Sequence, residues 1–166
     1  MALIDGMLQE LEQEAVTTRR VLERVPDDKL AWRPHEKART LGELALHVAT
    51  VPGAVAELVA SQLTVQAPQF TDPHPNSASE LVPALDASIA KANKVLAGMD
   101  DAGLMATWRM MKGEREILAA PRVAMLRSVM LNHWYHHRGQ LSVYLRQLDV
   151  PIPSIYGPSA DENPFA

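Results

Sequence analysis

The stretch LRSVMLNHWYHHRGQLSVYLRQL, residues 126–148, has the most regular pattern in this sequence. Its apolar and histidine side chains recur every three or four residues, which places them on one face of a helix. That face consists of Leu126, Met130, His133, His137, Leu141, Tyr144 and Leu148. Proline is suited to a first helical position, and the segment DVPIP stops the pattern, so a long helix is predicted over 121–148.

Three further segments have the periodicity of amphipathic helices. They are predicted over 3–25, 40–63 and 77–99. The second opens with TLGE, where Thr40 and Glu43 can form a capping box, and SASE at 77–80 is a similar box for the third. Pro52 is expected to kink or split the second helix.

Long connections join the predicted helices, and they suit crossover connections better than tight hairpins. DDAGLMATW favours a short additional helix, and WRMMKGEREILAA is compatible with either a loop or a small hairpin. We find no convincing run of strands. The sequence therefore predicts an all-α four-helix bundle in a single domain, 1–166, with the tail 149–166 packing over the bundle.

Composition excludes several functions. The net charge of −4 gives no clustered positive surface for nucleic acid, so no nucleic-acid partner is expected. The chain has no Cys, which leaves no disulfide, thiolate nucleophile or sulfur ligand. The N-terminus lacks a signal-peptide pattern, and no uncharged apolar run approaches the roughly 18 residues of a membrane span. We therefore expect a cytoplasmic protein that does not associate with membranes.

Three histidines hold predicted core positions. His133 and His137 are four residues apart on one helical face, and His47 has core spacing from Leu44 and Val51. A buried imidazole without a partner would cost on the order of 1–3 kcal/mol. Each ring could be satisfied separately by a carbonyl, a carboxylate or water. One divalent cation would satisfy all three together, and we favour this interpretation.

Residues around the histidines carry further expectations. Each ligand would need an acceptor for its second nitrogen, and Glu43, Asn132 and Gln140 are candidates. Gly139, inside a helix, suggests that another backbone or a ligand approaches closely. His136 is expected at the flank of the site.

Other polar residues are given more ordinary roles. Arg138 is expected to form a salt bridge or a cap, and His35 and His74 to be solvated. The segment 151–165 is a candidate for the mouth of a pocket. Within it, Tyr156 is expected to anchor the tail, with a reach toward the histidines as the alternative.

The motifs LGELALHVA, NHWYHHRGQL and VPIPSIYGPSADE together resemble the DinB-like family. The resemblance implies a four-helix bundle in up-down-down-up order, and a metal bound by His47, His133 and His137. It also implies nickel or zinc as the metal, open coordination positions and frequent homodimers. The family name refers to DNA-damage induction, which describes regulation and does not imply DNA binding.

The sequence restricts the possible functions of the protein less than it restricts the possible folds. Some DinB-like relatives are transferases or isomerases that use a low-molecular-weight thiol such as bacillithiol, mycothiol or glutathione, whereas many have no demonstrated activity. Three neutral ligands leave an open position where water or a thiol can be activated. The first hypothesis is therefore a metal-dependent thiol S-transferase or hydrolase that uses an external thiol or water. The alternatives are a non-catalytic metal-binding or stress-response bundle, and a metal-free bundle.

Overall fold

The protein, described here from a computed structural model over residues 2–69 and 71–166, is mostly helical with one small sheet. The helices are α1 (Leu3–Leu22), α2 (Leu41–Ser61), α3 (Leu81–Leu96), α4 (Asp101–Met105), α5 (Arg122–Met125) and α6 (His133–Gln147). The strands are β1 (Thr64–Gln66), β2 (Thr107–Lys112) and β3 (Arg115–Pro121). A π-helical segment, Leu126–Asn132, joins α5 to α6 and completes one long helical rod.

The three-stranded sheet corrects the expectation of a purely helical chain. Its order is β1-β2-β3, with β1 parallel to β2 and β2 antiparallel to β3. The hairpin between β2 and β3 turns at Gly113, whose positive φ of 61° suits glycine. The sequence left this region open between a loop and a hairpin. The third strand, β1, has three residues, which is too short for a recognisable alternation.

One apolar core lies between the long helices. α2 packs most extensively against α3 and also contacts α6, while α1 contacts α3. Each of these four helices contributes fully or almost fully buried leucines, for example Leu11, Leu44, Leu85 and Leu141. The predicted long helices therefore share a core. The up-down-down-up order of a four-helix bundle stays a prediction.

The start of α2 confirms the first predicted capping box. The Glu43 backbone N–H donates to Thr40 Oγ1 over 3.2 Å, and the Thr40 N–H donates to the Glu43 carboxylate over 2.7 Å. The second predicted box is wrong. Ser77 Oγ accepts from the Ser79 N–H in a short 3₁₀ turn, and α3 begins only at Leu81.

Pro52 lies inside α2 and does not split it. A proline has no N–H, so the carbonyl of Val48, four residues earlier, loses its helical donor. The indole N–H of Trp134 donates to that carbonyl over 2.8 Å. This hydrogen bond ties the middle of α2 to the first turn of α6.

A second contact ties the same part of α2 to α3. The Gly53 N–H donates to Ser88 Oγ over 2.8 Å, and the Ser88 hydroxyl donates to the Thr50 carbonyl over 3.1 Å. A Cβ atom at Gly53 would lie 2.6 Å from the Ser88 carbonyl oxygen. Only glycine therefore permits this close approach of the two helices.

α2 is also the one helix of the described residues that is long and apolar enough to cross a membrane by length and composition. Half of the 18-residue apolar stretch of this helix is buried inside the protein. α2 is apolar because it packs against α3 and α6, as a core helix does.

The tail 149–166 lies against α1 and α6. Arg20 donates to the Glu162 carboxylate over 2.5 and 2.6 Å, and Arg146 pairs with Asp161. Tyr156 accepts a hydrogen bond from Arg138 over 2.6 Å. These ion pairs and hydrogen bonds hold the tail along the two helices.

Arg138 is 1% exposed, which the sequence did not predict, and it has the expected salt bridge. Its guanidinium lies 2.6 Å from the Glu14 carboxylate and 3.0 Å from Thr18 Oγ1. Tyr156 donates to the same carboxylate over 3.0 Å. Because the Tyr156 hydroxyl is hydrogen-bonded to Arg138 and Glu14, Tyr156 anchors the tail, and its hydroxyl is directed to these two residues.

Candidate metal centre

Three imidazole rings from two helices meet at one edge of the core. His47 comes from α2, and His133 and His137 come from the first turns of α6. The ring centroids lie 5.3 Å apart for His47 and His133, 4.6 Å for His47 and His137, and 4.3 Å for His133 and His137. One ring nitrogen from each residue lies within 4.8 Å of the other two. The structure thus brings together the three predicted ligands.

The meeting of these rings follows from the packing of α2 on α6. His47 immediately precedes Val48, and His133 immediately precedes Trp134. The hydrogen bond between Trp134 and the Val48 carbonyl therefore fixes the two histidines beside each other. Pro52 enables the bond because it frees this carbonyl.

The donor set suits a divalent cation. The Nε2 atoms of His47 and His133 are 3.1 Å apart. This separation is compatible with two nitrogens that each lie about 2.0–2.1 Å from one zinc ion. Neutral imidazole is also a common ligand of nickel, copper and iron. The residues present therefore fit a shared metal ion.

The second nitrogen of His137 has an acceptor. Its Nδ1 lies 2.7 Å from the side-chain oxygen of Gln140, which leaves Nε2 with the lone pair that a metal needs. Of the three candidate acceptors, Gln140 therefore takes this role. Glu43 is occupied by the capping box, and Asn132 is exposed.

We expect that Gln140→Leu weakens metal affinity by about 10- to 100-fold, because the substitution removes the acceptor that orients the His137 ring. Gln140→Glu keeps an oxygen at the same distance along the chain and is the matched control, with affinity near that of the wild type. Competition with a chelator of known affinity measures both variants. Equal weakening in the two variants would contradict an orienting role for this oxygen.

Burial favours the neutral form of these imidazoles. It lowers the pKa of His47 and of His137 from the ordinary 6.5 to about 4, and it lowers the pKa of His133 in the same direction. The positive charge of Arg39 contributes to all three shifts. The rings are thus deprotonated, as metal binding requires, at neutral pH.

Without bound metal, the free energy of unfolding should fall as the pH is lowered from about 6.5 to about 4. In the unfolded chain His47 and His137 take up protons near pH 6.5, whereas in the folded chain they do so near pH 4. Between these values the unfolded state binds more protons and is favoured by acid. Urea unfolding of chelator-treated protein across this range measures the effect.

The control for the pH experiment is a variant with both His47→Gln and His137→Gln. Glutamine does not titrate, so the variant should lose less stability over the same range. An identical loss in the two proteins would show that other groups cause the acid sensitivity.

The cluster lies at the rim of the core, which corrects the expectation of a fully apolar interior. His137 is 8% exposed, but His47 and His133 are only half-buried. The π-helical segment uses more residues per turn than an α-helix, and it turns the buried face of α6 toward Trp134 and Arg138. The histidine face is therefore left at the edge, accessible from solvent.

A cavity of about 370 Å³ adjoins His137. It is lined by Lys37, Ala38, Arg39, Leu44, Asp72, His137, Gln140 and Tyr144. These residues come from the segment before α2, from α2 itself, from the connection before α3, and from α6. The tail 151–165, which the sequence suggested as a pocket mouth, does not contribute to this lining.

The remaining histidines lie outside the cluster. His35 and His74 are exposed, as predicted, and so is His136, although its ring centroid is 5.0 Å from that of His137. Gly139 was expected to allow the close approach of another backbone or of a ligand, and the expectation of a neighbouring backbone is wrong. A Cβ atom there would meet nothing within 4 Å among the described residues.

Sequence reasoning missed Arg39 and Asp72. Arg39 directly precedes the capping residue Thr40, so the sequence offered a signal that it lies at the start of α2. Asp72 lies in a proline-rich connection without periodicity, and nothing in the sequence placed it near α6.

Comparison with known proteins finds similar proteins over most of this chain. The model of the DinB family matches residues 2–163. The uncharacterized protein YrdA of Bacillus subtilis (strain 168) is 29% identical over 160 residues, which are 96% of this chain and 91% of YrdA.

Two solved structures have a similar fold. A DinB-like protein from Bacillus cereus ATCC 10987 has a TM-score of 0.71 and 25% identity, over 92% of this chain and 97% of that chain. The DinB-like protein YjoA from Bacillus subtilis has a TM-score of 0.65 and 19% identity, over 87% of this chain and 92% of that chain. The similarity therefore extends over nearly the whole fold.

Proposed function

Since this chain belongs to the DinB family, we propose that it binds one divalent cation, nickel or zinc, and activates an external thiol or water. His47, His133 and His137 would hold the cation. The proposal is carried by one observation, the cluster of three imidazole nitrogens within 4.8 Å of one another beside a cavity of about 370 Å³. A hydrophobic core without a ligand has no need for such a cluster.

The metal would supply one kind of chemistry. A divalent cation with three neutral ligands lowers the pKa of a water or thiol that occupies its open position. The protein's own contribution is to hold the three rings neutral by burial and to orient His137 through Gln140. Because the chain has no Cys, a thiol nucleophile must come from solution.

The alternative is a non-catalytic metal-binding or stress-response bundle. A structural site would be closed by a fourth ligand from the protein. Among residues 2–69 and 71–166, no carboxylate joins the histidine group. The half-buried rings and the adjoining cavity support an accessible position, which favours the catalytic proposal.

The experiment is a turnover assay of the purified, metal-loaded protein with a panel of low-molecular-weight thiols. Each thiol is paired with electrophilic substrates, and hydrolysable substrates are tested without thiol. We expect metal-dependent turnover that chelation abolishes and nickel or zinc restores. Stoichiometric metal binding without metal-dependent turnover on any substrate class would favour the non-catalytic alternative.

Finer features of the protein are proposed with the function. We propose the up-down-down-up order for the long helices, a homodimer in solution and a cytoplasmic location. Light scattering coupled to size-exclusion chromatography measures the mass of the assembly. A monomer at micromolar concentration would contradict the homodimer.

A further inference from the structure

The cavity beside His137 has a net positive lining. Lys37 and Arg39 bring two positive charges, and Asp72 brings one negative charge. A divalent cation at the histidines would add to the excess, because the three imidazoles are neutral ligands. A bound molecule that carries an anionic group would balance this charge.

Arg39 is held in a defined position at the wall of this cavity. Its Nε donates to Asp72 Oδ1 over 2.7 Å, and its backbone carbonyl accepts from the Tyr144 hydroxyl over 3.4 Å. The Tyr144 ring packs edge-to-face on Trp32 with a centroid distance of 5.6 Å. Both the side chain and the backbone of Arg39 are therefore oriented before any ligand binds.

The outer nitrogens of Arg39 are available to a ligand. Among the described residues, neither Nη atom donates a hydrogen bond, and the side chain is 30% exposed. A guanidinium fork with two unpaired nitrogens matches the two oxygens of a carboxylate. Arg39 is also close enough to the histidines for its charge to act on all three rings.

We propose that Arg39 is a substrate-positioning residue, which binds the carboxylate of a small organic acid while the reactive end of that molecule faces the histidine cluster. This inference rests on the proposed function and names its substrate class. The volume of about 370 Å³ is near the lower end of ligand pockets, which suits a small molecule. Asp72 holds the guanidinium by its Nε side and leaves the Nη side for the carboxylate.

The experiment compares two thiols of nearly equal size on the zinc-loaded full chain. Mercaptopropionate carries a carboxylate, and mercaptopropanol carries a hydroxyl in its place. Isothermal titration calorimetry gives the dissociation constant of each. We expect that the wild type binds mercaptopropionate about 10-fold more tightly, the size of a net charge-assisted hydrogen bond.

Variants of arginine and lysine residues test the assignment. Arg39→Gln should remove most of the preference without changing the zinc content. Arg33→Gln is the matched control, because Arg33 is an exposed arginine of the same segment that does not line the cavity. Lys37→Gln should reduce the preference by a smaller factor, because Lys37 is exposed and its charge is screened.

Two outcomes would overturn the inference. One is an equal affinity of the wild type for the two thiols, and the other is a preference that Arg39→Gln leaves unchanged. Zinc content, measured on the same samples, distinguishes failure of the Arg39 proposal from failure of the proposed function. If the wild type holds one zinc ion per chain but shows no preference, only the role of Arg39 is removed, whereas absence of zinc from the wild type removes the proposed function as well.

Discussion

Replacing His133 by alanine is expected to lower the metal content from about one ion per chain to near zero after dialysis. The substitution leaves two of the three nitrogens that lie within 4.8 Å of one another. Changes to groups that only orient a ligand cost about 10- to 100-fold in affinity, so the loss of a ligand should cost more than about 100-fold. Elemental analysis of the purified variant measures the effect.

His136→Ala is the matched control for this substitution. His136 is on the same helix and its ring is 5.0 Å from that of His137, but it is exposed and outside the cluster. Its removal should leave the metal content unchanged. Equal metal content in the His133→Ala and wild-type proteins would mean that the three histidines do not hold the ion.

Gly53→Ala is expected to lower the free energy of unfolding by about 2–3 kcal/mol. The added methyl group would lie 2.6 Å from the Ser88 carbonyl oxygen and 2.9 Å from its Cα, so α2 and α3 would have to move apart. Alanine is favoured over glycine within a helix by about 1 kcal/mol, which offsets part of this cost. Urea unfolding at neutral pH measures the difference.

Gly139→Ala makes the same chemical change in α6, where a Cβ atom meets nothing within 4 Å among the described residues. We expect it to raise the free energy of unfolding by up to about 1 kcal/mol. Opposite signs for the two substitutions would establish the close contact of α2 and α3 at Gly53. A stabilised Gly53→Ala protein would contradict the packing described here.

The histidine cluster could be predicted from the sequence because its members lie on periodic helical faces. His133 and His137 share a face through their four-residue spacing, and His47 has the spacing of a buried position. The apolar faces of two helices in one small domain must pack on each other, and this packing brings the histidines on the two faces close together. The capping box at Thr40 was predictable for a similar reason, since all of its contacts are local.

Features that depend on distant contacts were not predictable. β1 forms because Leu63 and the residues after it pair with β2, more than 40 positions away. Asp72 meets Arg39 only through the path of a connection that has no periodic pattern. The burial of Arg138 depends on Glu14 from α1, and a lone arginine in a helix does not reveal such a partner.

The π-helical segment explains why the histidines lie at the rim of the core, although their spacing predicts a position inside it. A regular α-helix over the whole stretch would keep His133 and His137 on the same face as Leu126 and Met130. The wider turns of Leu126–Asn132 shift this register, so that Trp134 is fully buried and His133 half-buried. The site is consequently more accessible than the spacing alone implies.

The most direct test of the account is a crystal structure of the purified protein with anomalous data at the nickel and zinc absorption edges. The proposed metal site predicts one strong anomalous peak at about 2.0–2.1 Å from a ring nitrogen of each of His47, His133 and His137. It also predicts that the ion is open toward the cavity lined by Arg39. Three imidazoles that point apart, or an anomalous peak held by other residues, would contradict it.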